Sequence, residues 1–304
     1  MAASVSALRI LQTSFAQGIA EAQGLASRAG RIVMAPGIGT FKVGNGAFGG
    51  IGQTLSGTAT DASLSEYFTF ETSHTMVKKV IKSKVPVQTL RNDYAFEQAG
   101  MQLAQSAVAT LDKGFFDGLE GLFSAAHPRV GTGAGQVGAS KKYLDTGLAY
   151  LQGESGAGTQ DNLLALQFSQ TAVIAATKLL LSQRNDRGIP LSIGAMGNLV
   201  LVCAPENFEI AKQVASSDYT SKELQTNTLK SMISDVVVYP FADPNDWYLI
   251  SKPQCPIGIA IGTDPTARIS TTTDGLFYEL VSEVEFTFFK SPYEYGLVGA
   301  NVSL

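Results

Sequence analysis

The chain is poor in the residue types on which most enzymes and metal sites depend. Its 304 residues include only two histidines and two cysteines. Cys203 and Cys255 are too few for a disulfide framework and have no neighbouring metal ligand. We therefore interpret both as small buried hydrophobic side chains. Because no two His or Cys residues lie close in the sequence, we predict no metal site.

Charge is scarce as well. Charged residues make up 16% of the chain, against roughly 25% in an average soluble domain. The net charge of −4 comes without a cluster of lysine or arginine, so sequence-specific binding to nucleic acid is not expected. A mildly acidic surface can still enclose DNA. So few charges indicate either an unusually compact protein or a surface that other chains bury.

Long apolar runs are also missing. No run reaches the roughly 20 residues that cross a membrane, and residues 1–30 lack the pattern of a signal peptide. We therefore expect a protein that is made in a reducing cytoplasm, is kept or assembled there, and has no membrane partner.

One motif resembles a nucleotide site. Gly133–Gly138 is a literal G-x-G-x-x-G, but a dinucleotide site needs this turn between a buried strand and a helix. His127–Val130 before it cannot form a central strand, and Ala139–Lys142 after it does not favour a helix. A phosphate-binding loop would require lysine and Ser/Thr where Ala139 and Ser140 stand. We predict a flexible loop and no cofactor.

The side chains that could perform acid–base chemistry also lack suitable catalytic partners nearby in the sequence. His74 and His127 have no adjacent Ser, Cys or Asp arranged as the partner of a nucleophile. Glu283 and Glu285 share one face of a predicted strand, about 7 Å apart, where alternating exposed glutamates are common. We predict no catalytic residue and a protein that is not an enzyme.

Two segments at the start of the chain have distinct characters. Residues 5–29 carry apolar side chains near helical spacing, which predicts an amphipathic helix; its partner is either a neighbouring subunit or the core of its own chain. Residues 37–65 are rich in glycine and have no charge between Lys42 and Asp61. The missing charges favour an extended hairpin that lies on another protein over a disordered linker. The helical stripe consists of Leu8, Leu11, Phe15, Ile19 and Leu25.

A long helix and a closing strand give the clearest patterns. Four-residue steps predict a helix of about 22 residues that starts at a cap, Asn92 or Asp93, and weakens at three glycines. Residues 276–288 alternate apolar and polar side chains, which predicts a strand with one wet face. The glycines are Gly114, Gly118 and Gly121; the apolar face carries Leu276, Tyr278, Leu280, Val284, Phe286 and Phe288, and the polar face Glu279, Glu283, Glu285 and Thr287.

Shorter elements fill the remainder of the chain. The alternation of strands with a long helix and several shorter ones indicates an α+β fold, and no internal repeat is evident. The predicted elements are strand-like structure over 67–87, a Gly-rich connection over 124–160, a helix over 163–183 that Asn185, Gly188 and Pro190 end, a strand at 199–202, a helix from Pro205 to Val214, and strands at 235–239, 247–251 and 257–261.

Three stretches carry a resemblance to a known family. They are Lys82–Tyr94; Leu181–Leu191 with Leu199–Val202, Pro205 and Glu206; and Glu283–Phe288 with Pro292 and Gly296. Together with the order of elements, they resemble the major capsid protein of tailed bacteriophages, which has the Hong Kong 97-type fold. They are similar to the start of its spine helix, the opening of its axial domain and its closing strand. The likeness of pattern covers nearly the whole chain, and no single motif is diagnostic.

The resemblance implies four parts of the chain. These are an N-terminal arm at 1–36, an extended E-loop at 37–66, a peripheral domain at 67–159 and 282–304, and an axial domain at 160–281. Subunits would form the pentamers and hexamers of an icosahedral virion shell around double-stranded DNA, after assembly in the host cytoplasm. Arm and loop would reach onto neighbouring subunits, which fits the low charge. Separate portal and cement proteins would be further partners.

Two features depart from some relatives in that family. Some join a loop lysine covalently to a neighbour's asparagine, but Lys42 is the only lysine near this loop and lies at its base, so covalent chainmail is not expected. Others carry a long scaffolding segment before the arm, which here begins soon after Met1, so scaffolding is expected from a separate protein. Two other hypotheses stay open: an encapsulin-like shell of the same fold around a protein cargo, and a cytoplasmic α+β enzyme.

Overall fold

The computed structural model describes residues 5–21, 24–36, 39–47, 68–88, 93–130, 140–145, 148–149, 159–184, 190–194, 197–217, 228–273 and 275–301. The helices are α1 (Val5–Glu21), α2 (Leu25–Ala29), α3 (Asp93–Glu120), α4 (Gln170–Ser182) and α5 (Phe208–Ser216), with short 3-10 helices at Gly121–Phe123, Pro205–Asn207 and Thr228–Ser231. The strands are β1 (Arg31–Met34), β2 (Thr40–Ala47), β3 (Phe68–Thr75), β4 (Val77–Pro86), β5 (Leu148–Ala149), β6 (Thr159–Gln160), β7 (Leu163–Leu164), β8 (Leu199–Cys203), β9 (Ile233–Val238), β10 (Trp247–Ser251), β11 (Ile257–Thr271), β12 (Phe277–Lys290) and β13 (Leu297–Ala300).

Two mixed sheets form the body of the molecule. The first has the order β1-β11-β12-β4, and the second β7-β13-β10-β8-β9. The long antiparallel pair β11–β12 dominates the first sheet, with Ile257 opposite Lys290 and Thr271 opposite Tyr278. In the second sheet every residue of β8 and β10 is buried, as expected for central strands covered on both faces.

One hydrophobic core joins the two sheets. It includes Phe115 of α3, Tyr248 of β10, Ile257 of β11 and Val284 of β12, each at most 2% exposed. A second core, around Trp247, lies between the five-stranded sheet and α4 and α5. Because the first core draws on α2, α3 and both sheets, the long helix and the second sheet pack as parts of one body.

The long helix is confirmed, but its predicted length is wrong. It runs for 28 residues, about 42 Å at 1.5 Å per residue, and includes Gly114 and Gly118. A Cβ at Gly114 would lie 2.2 Å from the ring of Phe286, and one at Gly118 would lie 2.3 Å from the ring of Phe288. These glycines therefore allow the helix to approach β12 closely instead of ending it. Asn92, one of the two predicted caps, lies outside the described residues.

The second helix starts later than predicted. Instead of beginning the helix, Leu163–Leu164 forms β7 and pairs with β13. The helix begins after Ser169, whose hydroxyl accepts a hydrogen bond from the amide of Ala172 at 3.2 Å, a normal N-cap. Leu166, which the helical spacing predicts on one apolar face with Val173, Ala176 and Leu180, is 42% exposed. The helical spacing of apolar residues continues by chance before Ser169. That segment is not helical, because Ser169 caps the helix and β7 pairs with β13.

The N-terminal segment packs on its own chain. It forms two helices, α1 and α2, where one was predicted. Leu11 and Phe15 are 0% and 3% exposed and lie in a cluster with Leu103 and Ala104 of α3. Of the two partners considered for this stripe, the described residues therefore show the chain's own core, and the expectation that this face docks on a neighbour is wrong.

The base of the predicted hairpin is confirmed. β2 and β3 pair antiparallel, from Thr40 opposite Thr75 to Ala47 opposite Phe68, so the returning strand continues past residue 66. Residues 48–67, the outer part of the hairpin, lie outside the described residues, as do the G-x-G-x-x-G at 133–138 and the turn at 185–189. The prediction that this segment lies on another protein therefore stays a prediction.

The closing strand is confirmed with two corrections. Leu280, Val284 and Phe286 are buried on one face as predicted. Leu276 precedes β12 and is 64% exposed, so its place on that face is wrong. Phe289 belongs to the other face and yet is 2% exposed, because the hairpin base covers this end of the strand.

The remaining predicted elements are found with shifted ends. β8 and β10 lie where the sequence places them, and β9 starts two residues early. The helix from Pro205 is split into a 3-10 turn and α5. β11 continues ten residues beyond the predicted end at Ile261, through irregular register near Thr263.

Candidate assembly surfaces and buried ionic contacts

The base of the hairpin is fixed to the sheet beneath it. The rings of Phe41 and Phe289 lie with centroids 5.2 Å apart, within a cluster that also contains Met76. The Thr72 hydroxyl donates to the carbonyl of Lys290 at 2.8 Å. His74 Nε2 lies 3.2 Å from the same carbonyl oxygen, and burial is the main cause that lowers the pKa of His74. This histidine therefore sits in a structural contact that holds the hairpin base on β12.

Charged side chains hold both ends of α2. The carboxylate of Asp112, on α3, accepts hydrogen bonds from the amides of Leu25 and Ala26 at 3.0 and 2.8 Å. At the other end, the ammonium group of Lys252 donates to the carbonyls of Ser27, Arg28 and Gly30. A negative charge at the N-terminus and a positive charge at the C-terminus satisfy the free backbone groups of a helix and match its dipole.

A bidentate ion pair ties α2 to the second sheet. Arg28 donates through Nε and a terminal nitrogen to the two carboxylate oxygens of Asp235 on β9, at 2.8 and 2.6 Å. This hydrogen bond is the main cause that lowers the pKa of Asp235. Because Asp112 lies on α3 and Asp235 on β9, α2 links the long helix to the five-stranded sheet.

A buried ionic cluster joins the loop after α3 to the segment after β12. His127, Arg129 and Glu294 are 2%, 1% and 2% exposed. The amide of Arg129 donates to His127 Nδ1 at 3.1 Å, so His127 Nε2 carries a proton and donates to the Glu294 carboxylate at 3.0 Å. The guanidinium of Arg129 donates to the same oxygen at 2.9 Å and to the carbonyl of Pro292 at 2.9 Å.

The charge of Glu294 is held by its neighbours. Burial alone raises the pKa of Glu294, but the charge of Arg129 and the hydrogen bond from His127 together outweigh it and lower that pKa to about 2. The guanidinium also lies 4.2 Å from the ring centroid of Tyr293. The arrangement stabilises a charge pair away from water and locks two distant segments together.

The two neighbouring glutamates on β12, Glu283 and Glu285, form ion pairs and hydrogen bonds with residues of the adjacent strands. Glu283 accepts a hydrogen bond from Lys78 at 2.7 Å and pairs with Arg268 on its other side. The hydrogen bond from Lys78 is the main cause that lowers the pKa of Glu283. Glu285 accepts a hydrogen bond from the Thr263 hydroxyl at 2.9 Å. Both carboxylates therefore stabilise strand pairing on this face of the sheet.

The two cysteines are buried, as predicted. Cys203 and Cys255 are free thiols at 1% and 2% exposure, and burial raises their pKa values to about 12 and about 11. Within the described ranges, no group of three or more His, Cys, Asp or Glu residues is placed to hold a metal ion. In the same ranges, no helix is long and apolar enough to span a bilayer.

An apolar groove runs between α3 and the strands beneath it. It has a volume of about 670 Å³, and its apolar lining comes from Val77, Phe241, Phe286 and Phe288, beside the charged Lys79, Lys113 and Asp117. Val77 and Phe241 are 47% and 78% exposed. Exposed apolar surface of this kind is typical of protein–protein contacts, so the groove is a candidate assembly surface.

Sequence reasoning missed several residues of these contacts. Arg28, Asp112, Lys252 and Glu294 gave no motif, since their partners lie between 86 and 225 residues away in the chain. The one local signal that indicates a buried ionic contact of this kind is a single charged residue in an otherwise apolar segment, as at Glu294.

Comparison with known proteins gives the family. A family model described as phage capsid protein matches residues 71–283, from β3 to β12. No curated protein shows significant similarity to the chain. The virus-like particle from Pyrococcus furiosus is similar in structure, with a TM-score of 0.54 and 11% identity over 98% of this chain and 100% of that chain.

Two phage capsids show the same likeness. The bacteriophage PhiM1 mature capsid matches with a TM-score of 0.54 and 10% identity over 92% of this chain and 87% of that chain. The capsid of Ralstonia phage GP4 matches with a TM-score of 0.54 and 9% identity over 88% and 86%. At such identities the likeness establishes the fold, which confirms the predicted α+β fold of Hong Kong 97 type. Since the family model covers well over half of the sequence, the chain belongs to the phage capsid protein family.

Proposed function

We propose that this chain is the major capsid protein of a tailed phage, the repeated subunit of an icosahedral shell around double-stranded DNA. The observation that carries the proposal is the match of the phage capsid family over residues 71–283, a span that contains α3 and most strands of both sheets. Pentamers and hexamers of this one chain close the shell. The encapsulin-like alternative is not favoured, because the matching family is that of phage capsids.

The parts of the subunit follow the resemblance. The arm comprises residues 1–36, the E-loop 37–66, the peripheral domain 67–159 and 282–304, and the axial domain 160–281. Strand pairing supports two changes of these boundaries. β11 pairs with β12 and so joins the peripheral sheet, while β13 pairs with β10 and so joins the axial sheet.

The hairpin supplies contact area between subunits. Its base is anchored by Phe41, Met76 and Phe289, while residues 43–60 contain no charged side chain. A segment without charge on a fixed base would add buried area on a neighbour without enlarging the subunit's own core. Individually weak contacts become strong when many must break together.

The shell encloses DNA without reading its sequence. The net charge is −4, and the lysines Lys78 and Lys82 on β4 are paired with Glu283 and Glu279, so they are partly neutralised as a phosphate-binding surface. The subunit has a structural role and catalyses no reaction. It resides in the virion, is assembled in the host cytoplasm, and works with separate scaffolding, portal and cement proteins.

Electron microscopy of the purified protein tests this proposal. Particles isolated from infected or expressing cells are imaged, treated with nuclease, and then opened to assay their contents. Uniform icosahedral shells, and nuclease-protected double-stranded DNA in particles from infected cells, are the expected result. Shells from infected cells that contain a single protein cargo and no DNA would contradict the proposal.

A further inference from the structure

The end of α3 packs against the turn between β9 and β10. The rings of Phe116 and Tyr239 are stacked, with centroids 3.9 Å apart. The turn continues from Tyr239 to Asp246, whose amide donates to the carbonyl of Asp243 at 3.0 Å. This junction connects the long helix to the five-stranded sheet, so any change in it alters how the two parts of the subunit meet.

A carboxylate is buried at this junction with one oxygen unpaired. Asp246 is 7% exposed, and no described protein group makes a hydrogen bond to its Oδ1. The hydroxyl of Tyr248, on the adjoining strand, is also buried without a hydrogen-bond partner. An ionised carboxylate is expensive to bury without a hydrogen bond or a cation.

Every charged group that acts on Asp246 among the described residues is acidic. Asp243 lies on the same turn, and Glu120 lies at the end of α3. Asp117, one turn earlier in α3, is paired with Lys113 at 2.8 Å. Burial first, and then the charges of Asp243 and Glu120, raise the pKa of Asp246 to about 7. Burial also raises the pKa of Glu120.

We propose that Asp246 is a proton-operated latch between the end of α3 and the β9–β10 turn. When its carboxyl group carries a proton it is neutral, and the turn stays packed on the helix. When the proton leaves, three carboxylates face one another across the junction, and the turn separates from α3. This inference concerns the subunit itself and does not depend on the proposed shell.

The direction of the pH dependence follows from the raised pKa. The folded protein binds this proton more tightly than the unfolded chain, whose aspartates titrate near 4. The stabilisation is therefore fully present below about pH 4 and is lost as the pH rises through about 7.

Thermal unfolding of the full-length protein at pH 5.5 and pH 8.5 tests the latch. Asp246→Asn keeps the shape of the side chain and removes its charge, while Asp264→Asn makes the same change at an exposed aspartate of β11. We expect the difference in Tm, Asp246→Asn minus wild type, to rise by several degrees between pH 5.5 and pH 8.5. The Asp264→Asn protein should follow the wild type. Equal pH slopes for Asp246→Asn and wild type would overturn the proposal.

If the Asp246→Asn protein does not fold, hydrogen exchange of the wild-type protein tests the latch instead. Exchange rates are corrected for the intrinsic effect of pH and compared at pH 6 and pH 8.5. Peptides covering residues 117–123 and 239–247 should lose protection several-fold at the higher pH, while a peptide covering β8 should not. Unchanged protection at both junction peptides would overturn the proposal.

Discussion

Glu294 makes it possible to bury the guanidinium of Arg129. Both side chains are at most 2% exposed, and a charge in such a place needs a partner with good geometry. Glu294 supplies it at 2.9 Å and accepts a second hydrogen bond from His127 on the same oxygen. Removing the carboxylate charge leaves a buried cation whose counter-ion is gone.

Glu294→Gln is therefore expected to be strongly destabilising. The free energy of unfolding should fall by about 3 kcal/mol or more, as when one partner of a buried ion pair is removed. Chemical denaturation of the subunit measures it. Glu279→Gln is the matched control, because its ion pair with Lys82 is partly exposed and long, at 3.8 Å, and should contribute less than about 1 kcal/mol. Equal losses for the two variants would show that the buried cluster is not a stabilising feature.

The same carboxylate makes the free energy of unfolding depend on pH in the acid range. Because the pKa of Glu294 is lowered to about 2 and an ordinary glutamate titrates near 4.3, its contribution is present above about pH 4.3. It is lost as the pH falls towards 2. The difference in unfolding free energy between wild type and Glu294→Gln should therefore shrink as the pH falls from 5 to 2.5. A difference that stays constant over this range would contradict the assignment.

At the residue scale, the local sequence predicts whether a side chain is buried better than it predicts which residues that side chain contacts. Cys203 and Cys255 were predicted as buried because the sequence offered them no chemistry, and they are. Glu294 and His127 were not connected, since 167 residues separate them. The sequence shows which side chains are out of place in an apolar segment, but only the fold shows what they meet.

Gly118 controls how closely α3 approaches the first sheet. A Cβ there would lie 2.3 Å from the ring of Phe288, whereas one at Gly121 would have nothing within 4 Å. Alanine is favoured over glycine by about 1 kcal/mol inside a helix, but overpacking a close contact costs about 1–3 kcal/mol. The two effects therefore oppose each other at Gly118 and not at Gly121.

We predict that Gly118→Ala lowers Tm and that Gly121→Ala leaves it unchanged or raises it. The net loss at Gly118 should be up to about 2 kcal/mol, since the cost of moving the ring of Phe288 exceeds the gain in helix propensity. Differential scanning calorimetry of both variants checks this. A stabilised Gly118→Ala protein would mean that helix propensity, and not the approach to β12, decides this position.

α2 depends on charges that come from other elements. A five-residue helix is too short to form by its own propensity. Asp112→Ala should cost about 1–2 kcal/mol, the usual range for a lost N-cap, and should increase hydrogen exchange at residues 25–29. Asp117→Ala, which removes an exposed pair with Lys113, is the control and should leave exchange at α2 unaltered. Unchanged protection of α2 in Asp112→Ala would contradict this account of the helix.

At the element scale, strong periodicity predicts that a helix or strand exists, whereas tertiary contacts decide where it begins and ends. The sequence placed α3 and β12 through their repeated spacing, and β8 and β10 as short, continuous, mostly apolar runs. It ended α3 early at glycines that serve close packing, and it started α4 early because Ser169 was not recognised as the cap. The expectation that α1 docks on a neighbouring subunit was wrong, because a stripe such as Leu11 and Phe15 does not specify what covers it.

For the whole molecule, the order of elements carried more information than any motif. It indicated the fold that the family match and the solved capsids confirm. It did not indicate that β13 leaves the sheet of β11 and β12, because its partners β10 and β7 lie far back in the chain and leave no local pattern. The role of the hairpin's outer part, residues 48–67, stays a prediction, because these residues lie outside the described ranges.

Deleting residues 44–60 should separate folding from assembly. The described contacts that anchor the hairpin, made by Phe41, Met76 and Phe289, lie outside the deleted segment, so the variant should fold, with the helical circular dichroism of the wild type. It should fail to form closed particles, because the contact area on neighbouring subunits is lost. Normal particles from the deleted chain, seen by electron microscopy, would refute the role given to the hairpin.

Sedimentation velocity of the full-length protein over a wide concentration range tests the central claim most directly. A shell subunit with a low content of charge should pass from free subunits or capsomers to one sharp boundary of very large, uniform particles as the concentration rises. A single slow boundary with the mass of one chain at every concentration would contradict the account.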